Sequence, residues 1–200
     1  MTTERREKLE RVLNNRQIDL TIVFENVQDP HNISAVLRTC ESVGIQDIYI
    51  LNHTIPLHPK FSKELGTRSS SSAWKWLSIH YFDNVADCVK DLKEKDFKLM
   101  ATHLSSEAID LYDVNFTEKI ALVFGNERKG VSHQMLTFCD SNFIIPQVGI
   151  IQSLNISVAC AVSLYEAFRQ KKLAGHYHRK PSTNKRLQQL KIDWGLEEDK

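Results

Sequence analysis

Short apolar runs alternate with helical patterns through the middle of this chain, and that alternation restricts the possible folds more than any other feature. The runs are rich in β-branched and aromatic residues and have the length of buried strands. They lie at 20–25, 47–51, 78–82, 97–102, 119–124 and 142–146. Helical patterns lie between or after them, at about 30–43, 84–95, 132–140 and 155–173. This order predicts an α/β sandwich whose mostly parallel sheet is covered on both faces.

A chain of 200 residues with 42% hydrophobic side chains can bury one core without a metal or disulfide staple. We expect a charged helical extension at 1–19, a core domain at 20–175 and a basic extension at 176–200. The four cysteines are far apart and form no CxxC pair, which predicts a reducing, cytoplasmic setting and no metal. No apolar stretch is long enough to span a bilayer, so no membrane partner is expected.

The net charge of +1 hides an uneven distribution, because 26 basic residues nearly balance 25 acidic ones over the whole chain. The segment 169–191 holds eight Lys and Arg residues and no acidic residue, so it carries +8. The remaining 18 basic and 25 acidic residues then carry −7. Such a basic segment predicts a polyanionic partner that is bound through its phosphates. The alternative is a solvated helix end, where Lys and Arg are favoured in any case.

The carboxyl ends of three predicted strands are candidate ligand sites, because open α/β sheets bind their ligands there. After the strand at 20–25, Asp29 can cap a helix in which Asn32 is either a further capping residue or a ligand. Arg38 follows in an otherwise apolar stretch of the same helix. It either forms an ion pair with Glu41 or binds an anionic group such as phosphate.

The turn after the strand at 119–124 is rich in glycine. Gly125 and Gly130 have the spacing of a phosphate loop, but Val131 stands where a P-loop needs lysine. A P-loop nucleotide hydrolase is therefore disfavoured. Glu127 in this turn is either an exposed acid or an acceptor for a hydrogen bond from a ligand.

Ser153 and Asn155 precede the longest helical pattern, and capping that helix is the default role of each. The sequence has no HExxH, GxGxxG or GxSxG motif. It therefore lacks the motifs typical of metalloproteases, dinucleotide oxidoreductases and α/β-hydrolases. His176 and His178 are two residues apart with no cysteine nearby, which argues against a metal site.

Taken together, the three turns closely resemble the three motifs of one known family. The matching stretches are ENVQDPHNISAVLRTCESVG, IALVFGNERKGVS and IIPQVGIIQSLNISVACAVSLYEAFRQ. They resemble the SpoU family of RNA ribose 2′-O-methyltransferases within the SPOUT superfamily, and the similarity covers residues 20 to about 175. Within this family the sequence, including both of its ends, is most similar to the TrmH group, the tRNA (guanosine-2′-O-)methyltransferases.

The resemblance implies a SPOUT-type α/β/α sandwich with a C-terminal trefoil knot, flanked by helical extensions at both ends. It implies a homodimer in which the active site is completed across the interface. The catalytic-pocket residues that it implies are Arg38, Asn32, Glu127, Ser153 and Asn155. The residues that it places around S-adenosyl-L-methionine are Gly125, Asn126, Ile144, Pro146, Ser153 and Leu154.

The charged extensions favour tRNA as the substrate, and the group resemblance implies the D-loop guanosine at position 18. Arg38 stays protonated at neutral pH, so we expect it to hold a phosphate and stabilise a developing alkoxide rather than act as a base. The residues predicted to bind RNA are Arg6, Arg11, His31, Arg169, Lys171, Lys172, Arg179 and Lys180. Two alternatives stay open, namely 2′-O-methylation of rRNA and a non-catalytic RNA-binding module with the same fold.

Overall fold

The computed structural model describes residues 1–56, 73–178 and 184–196. The strands in these ranges are β1 (Leu20–Glu25), β2 (Asp47–Leu51), β3 (Ser78–Phe82), β4 (Lys98–Thr102), β5 (Ile109–Asp110), β6 (Ile120–Phe124) and β7 (Ser141–Ile144). The α-helices are α1 (Thr3–Asn14), α2 (Pro30–Ser42), α3 (Val85–Glu94), α4 (His133–Leu136), α5 (Ile156–Leu173) and α6 (Lys185–Asp193). Short 3₁₀ turns lie at Ala73–Trp76, Leu111–Asp113 and His176–His178.

The predicted α/β architecture is confirmed, with one seven-stranded parallel sheet. Its strand order is β3-β2-β1-β6-β4-β7-β5, and every pair of neighbouring strands is parallel. The chain builds outward from β1 through β2 and β3 on one side, while the other strands lie on the opposite side of β1. The carboxyl ends of β1 and β6 therefore flank a topological switch point, where such sheets bind ligands. The trefoil knot stays a prediction.

Alternate residues of β1 enter two separate cores, one on each face of the sheet. Ile22 and Phe24 belong to the core beneath α2 and α5, whereas Val23 belongs to the core beneath α3 and α4. All three side chains are fully buried. This explains why the strand reads as a continuous apolar run, because a strand covered on both faces needs no polar side.

The two ends of the chain pack against each other outside the sheet. Leu9 and Leu13 of α1 form a small apolar cluster with Leu190 and Leu196, and Trp76 and Trp194 cover it. The C-terminal extension is therefore part of the folded unit in this region. The division of the chain after residues 19 and 175 stays a prediction.

An ionic contact fixes α6 to the edge of the sheet. Asp47 at the start of β2 accepts hydrogen bonds from the Arg186 guanidinium at 2.7 Å and from the His80 ring at 2.8 Å. Burial by itself would raise the pKa of Asp47, but the hydrogen bonds from His80 and Arg186 outweigh burial and lower it. A lowered pKa means that this carboxylate stabilises the fold above its unfolded pKa, and that this stability is lost as the pH falls.

We therefore expect Asp47→Asn to lower the free energy of unfolding by about 1.5–3 kcal/mol at neutral pH, since hydrogen bonds to charged groups are lost. The difference from the wild type should shrink as the pH falls below about 4, because the wild-type carboxyl then becomes protonated as well. Urea unfolding at several pH values measures this difference in the free energy of unfolding. Asp113→Asn, at an exposed position, is the control, and an equal loss in both variants would rule out a special role for Asp47.

Candidate functional site

A cavity of about 770 Å³ opens beyond the carboxyl ends of β4, β6 and β7, beside the switch point. This volume lies within the roughly 300–1,000 Å³ that is typical of small-molecule sites. Its lining includes every residue that the family resemblance implies around the cofactor, namely Gly125, Asn126, Ile144, Pro146, Ser153 and Leu154. The walls are thus apolar on the side of β7 and formed by a glycine turn on the side of β6.

The turn after β6 is too tight for a side chain at its first position. A Cβ added to Gly125 would lie 2.1 Å from the carbonyl carbon of Gly130 and 2.2 Å from the nitrogen of Val131. Two backbone hydrogen bonds between Asn126 and Gly130, of 3.1 and 2.8 Å, close the turn. Gly130 has a φ of +69°, in the left-handed region that glycine adopts without strain. The turn therefore presents backbone, not side chain, to the cavity at Gly125.

Three of the predicted catalytic-pocket residues, one from each turn, form a single chain of hydrogen bonds. Asn32, in the first turn of α2, donates to Glu127 Oε1 at 3.2 Å. Its own Oδ1 accepts from Asn155 Nδ2, also at 3.2 Å. Asn155 is the N-cap of α5, and its Oδ1 accepts from the backbone nitrogen of Ser157 at 2.8 Å. Each amide therefore has one fixed orientation. The capping role predicted for Asn155 is confirmed, whereas its role in a catalytic pocket stays a prediction.

Ser153 and Glu127 lie at the mouth of the cavity in exposed positions. Among the described residues, no hydrogen bond from or to the Ser153 hydroxyl is found, so that group is available to a ligand. Glu127 is held by Asn32. The lining of the cavity thus includes one unengaged hydroxyl and one positioned carboxylate.

Arg38 does not line this cavity, and Asn32 is connected to it only through its hydrogen bonds with Glu127 and Asn155. Arg38 is exposed on α2 and lines a second groove of about 560 Å³, which lies between α1, α2 and the Ala73–Trp76 turn. The possible ion pair between Arg38 and Glu41 does not form, because Glu41 pairs with Arg16 at 3.5 Å. Arg38 and Asn32 are six residues apart on α2, which corresponds to about 600° of helical rotation. Within one chain their side chains therefore lie on different faces of the helix.

Two further basic residues, Arg5 and Lys8 of α1, line the same groove as Arg38. On this helix, the residues predicted to bind RNA were Arg6 and Arg11 instead. The spacing of the apolar Leu9 and Val12, which also line the groove, would have identified the face of α1 that borders it, since residues three and four apart share a side of a helix.

The predicted RNA-binding residues differ widely in exposure. Lys171 is fully buried and forms an ion pair with Asp19 at 2.9 Å, so the prediction that it contacts RNA is wrong. Its side chain is part of the protein interior, where its ammonium group pairs with the Asp19 carboxylate. Arg6 donates to Glu10 and to the Leu196 carbonyl, and Arg169 pairs with Glu166 at 2.7 Å. The residues with exposed side chains are Arg11, His31, Arg169 and Lys172, while Arg179 and Lys180 lie outside the described residues.

The cysteines do not offer reactive thiols. All four are free, and Cys40, Cys88 and Cys160 are buried. Burial raises the pKa of Cys88 and of Cys139 to about 12, so both are protonated at neutral pH. Thiolate chemistry is therefore not expected at these positions. In the described ranges, no group of three His, Cys, Asp or Glu residues is placed to hold a metal ion, and no helix is long and apolar enough to cross a membrane.

Comparisons with known proteins agree with this geometry. The model of the SpoU rRNA Methylase family matches residues 19–165. The tRNA (guanosine(18)-2′-O)-methyltransferase of Thermus thermophilus is 40% identical over 193 residues, which cover 96% of each protein. The enzyme of that name from Aquifex aeolicus is 34% identical over 98% of this chain and 90% of its own. A crystal structure of the A. aeolicus TrmH/SpoU tRNA modifying enzyme superposes with a TM-score of 0.83, covering 96% of this chain and 95% of that one. Since the family model covers most of the sequence, from before β1 into α5, the chain belongs to the SpoU rRNA methylase family.

Proposed function

We propose that this protein transfers a methyl group from S-adenosyl-L-methionine to the ribose 2′-OH of guanosine 18 in tRNA. The observation that carries the proposal is the hydrogen-bonded series of Glu127, Asn32 and Asn155 at the rim of the 770 Å³ cavity. The choice of tRNA rests on relatives named for that reaction, which match this chain over nearly their whole length.

The cavity fits S-adenosyl-L-methionine in size and chemistry. Ile144, Pro146 and Leu154 provide an apolar wall for the adenine, while the Ser153 hydroxyl and the backbone at Gly125 offer polar contacts. No side chain fits at Gly125 because a Cβ there would collide with the backbone of Gly130 and Val131, so only backbone is offered to the cofactor at this position. When bound, the cofactor supplies an electrophilic methyl group. The protein itself has to place the ribose and manage the proton of its 2′-OH.

Arg38 is suited to stabilising the 2′-oxygen as that proton leaves. Its guanidinium is permanently charged, so it does not accept the proton. It binds the phosphate next to the target ribose and stabilises negative charge as it develops on the 2′-oxygen. The proton passes to that phosphate or to water. Arg5 and Lys8 in the same groove extend the phosphate-binding surface. Asn32, Ser153 and Asn155 orient the nucleotide, and Glu127 holds Asn32 in place.

A second copy of this chain completes the site. Val148 and Ile150 are fully exposed in the loop before α5, and Ile151 is 71% exposed. Val158 and Tyr165 continue this apolar surface along α5, at 47% and 54% exposed. Monomers rarely leave such a surface uncovered. A twofold dimer that buries it brings Arg38 of one copy towards Asn32 and Asn155 of the other, which resolves their separation within one chain.

The protein works in the cytoplasm on tRNA, and the four free cysteines are compatible with a reducing compartment. Arg11, His31 and Lys172 remain as exposed groups for RNA phosphates, in addition to the groove, whereas the exposed Arg169 is engaged by Glu166. Lys171 has no part in this surface.

Methyl transfer to defined transcripts tests the proposal. We expect labelled S-adenosyl-L-methionine to methylate the ribose of guanosine 18 in a tRNA transcript, and not a transcript with adenosine at that position. Asn32→Ala should lower kcat about a hundredfold, because a displaced substrate loses its reactive alignment. Methylation of rRNA alone would support the rRNA alternative. RNA binding without any methyl transfer would support a non-catalytic module.

A further inference from the structure

The turn at 125–132 is held at both ends by two consecutive residues where β1 finishes. Glu25 is 1% exposed, and its carboxylate accepts hydrogen bonds from the backbone nitrogen of Ser132 at 2.8 Å and from the Ser132 hydroxyl at 2.5 Å. The carbonyl of Asn26 accepts from Asn126 Nδ2 at 2.9 Å. The end of β1 is thus connected to the first and the last part of the turn that lines the cavity.

Asn26 is itself locked in an unusual conformation. Its φ is +54°, in the left-handed region that asparagine tolerates better than most residues. Its backbone nitrogen donates to the Leu51 carbonyl at 2.8 Å. Its Oδ1 accepts from the backbone nitrogens of His53 and Thr54 at 3.1 and 3.0 Å. The end of β2 therefore fixes the direction in which the Asn26 carbonyl points.

Both functions of the Asn126 amide are engaged within the protein. Nδ2 donates to Asn26, while Oδ1 accepts from the backbone nitrogens of Arg128 and Lys129 at 3.0 and 3.1 Å. Two accepted hydrogen bonds use both lone pairs of the amide oxygen. This leaves little of the side chain for a ligand, although Asn126 lines the cavity.

We infer that Asn126, held by Asn26, is a positioning residue and not a side-chain ligand of the cofactor. It fixes the turn so that the Gly125 backbone faces the cavity and Glu127 reaches Asn32. This inference rests on the proposed function only in that S-adenosyl-L-methionine occupies the cavity. It assigns Asn126 a role through the turn, and it adds Asn26, which lies in the first of the three matching stretches but was not predicted to be a site residue.

The test compares Asn126→Ala with Asn115→Ala. Asn115 is an exposed residue in another turn, and its Oδ1 likewise accepts two hydrogen bonds, both from Thr117, at 3.2 and 2.7 Å. The kinetic readouts are kcat and the KM for S-adenosyl-L-methionine in the methylation reaction. The other readouts are the calorimetric affinity for S-adenosyl-L-methionine and the amide hydrogen exchange of the segment 125–132 without cofactor.

For Asn126→Ala we expect KM and the cofactor dissociation constant to rise about tenfold, with kcat changed less than about threefold, since one anchor of the turn is lost. Exchange in 125–132 should accelerate about tenfold, because local opening becomes easier. Asn115→Ala should change none of these values. Weaker binding with unaltered exchange would mean that Asn126 contacts the cofactor directly. Unchanged binding would mean that the turn holds without it. Either result would overturn the inference.

A second pair of variants isolates the backbone of Asn26. Asn26→Gly keeps the left-handed φ, whereas Asn26→Val makes it costly. We therefore expect the valine variant to accelerate exchange in 125–132 well beyond the glycine variant, and equal acceleration would overturn the role given to the carbonyl of Asn26. If the wild type bound S-adenosyl-L-methionine without methylating tRNA, the proposed function would fail, while affinity and exchange would still decide this inference.

Discussion

Mixed dimers of two inactive variants, Arg38→Ala and Asn155→Ala, are expected to regain about a quarter of the wild-type methylation rate if the two residues meet across a twofold interface. Each variant alone should be slowed at least about a hundredfold. The first lacks electrostatic stabilisation of the 2′-oxygen, and the second lacks alignment of the nucleotide. Random pairing makes half of the dimers mixed, and each mixed dimer has one site with both residues intact.

A mixture of Asn32→Ala with Asn155→Ala is the matched control. These two residues are hydrogen-bonded within one chain, so every site in the mixture lacks one of them and no activity returns. The measurement is the initial rate after joint refolding of equal amounts, with the dimeric state checked by sedimentation. No recovery in the first mixture, with both variants dimeric, would place Arg38 and Asn155 in the same chain during catalysis.

Gly125→Ala is expected to weaken binding of S-adenosyl-L-methionine at least about a hundredfold, which corresponds to about 2.7 kcal/mol. The added methyl group would lie 2.1 Å from the carbonyl carbon of Gly130. The nearest atoms are all backbone, so the turn itself has to open and the cavity wall is displaced. Calorimetric titration gives the affinity.

Gly149→Ala is the control for this variant, because Gly149 also lines the cavity but a Cβ there meets no atom within 4 Å. It should bind the cofactor nearly as well as the wild type. Circular dichroism of both proteins separates loss of the site from loss of the fold. Equal affinities in the two alanine variants would show that the closeness of the turn at Gly125 is not needed for binding.

Local composition was enough to predict most of the sheet. The six predicted strands appear within two residues of their expected bounds, because β-branched and apolar runs of that length are buried wherever helices cover both faces. β5 was missed, since a pair of residues carries no periodicity. The helix predicted at 132–140 covers only His133–Leu136, because the chain must reach β7 by residue 141.

The site was predictable where it depends on strand ends, and not where it depends on partners distant in the sequence. Asn32, Glu127 and Asn155 meet because parallel strands deliver them to one edge. Burial of Lys171 depends on Asp19, which lies near the other end of the chain. Likewise, Arg186 of the basic segment pairs with Asp47, so part of its charge stabilises the fold and is not available to RNA.

The packing of α6 against α1 also sets an order of assembly. Leu9 and Leu13 emerge from the ribosome early, but the residues that cover them, Leu190 and Leu196, are synthesised last. The final packing of α1 therefore requires the last described residues of the chain, although α1 is synthesised first. Because α1 forms one wall of the groove around Arg38, that groove is complete only when both ends of the chain are in place.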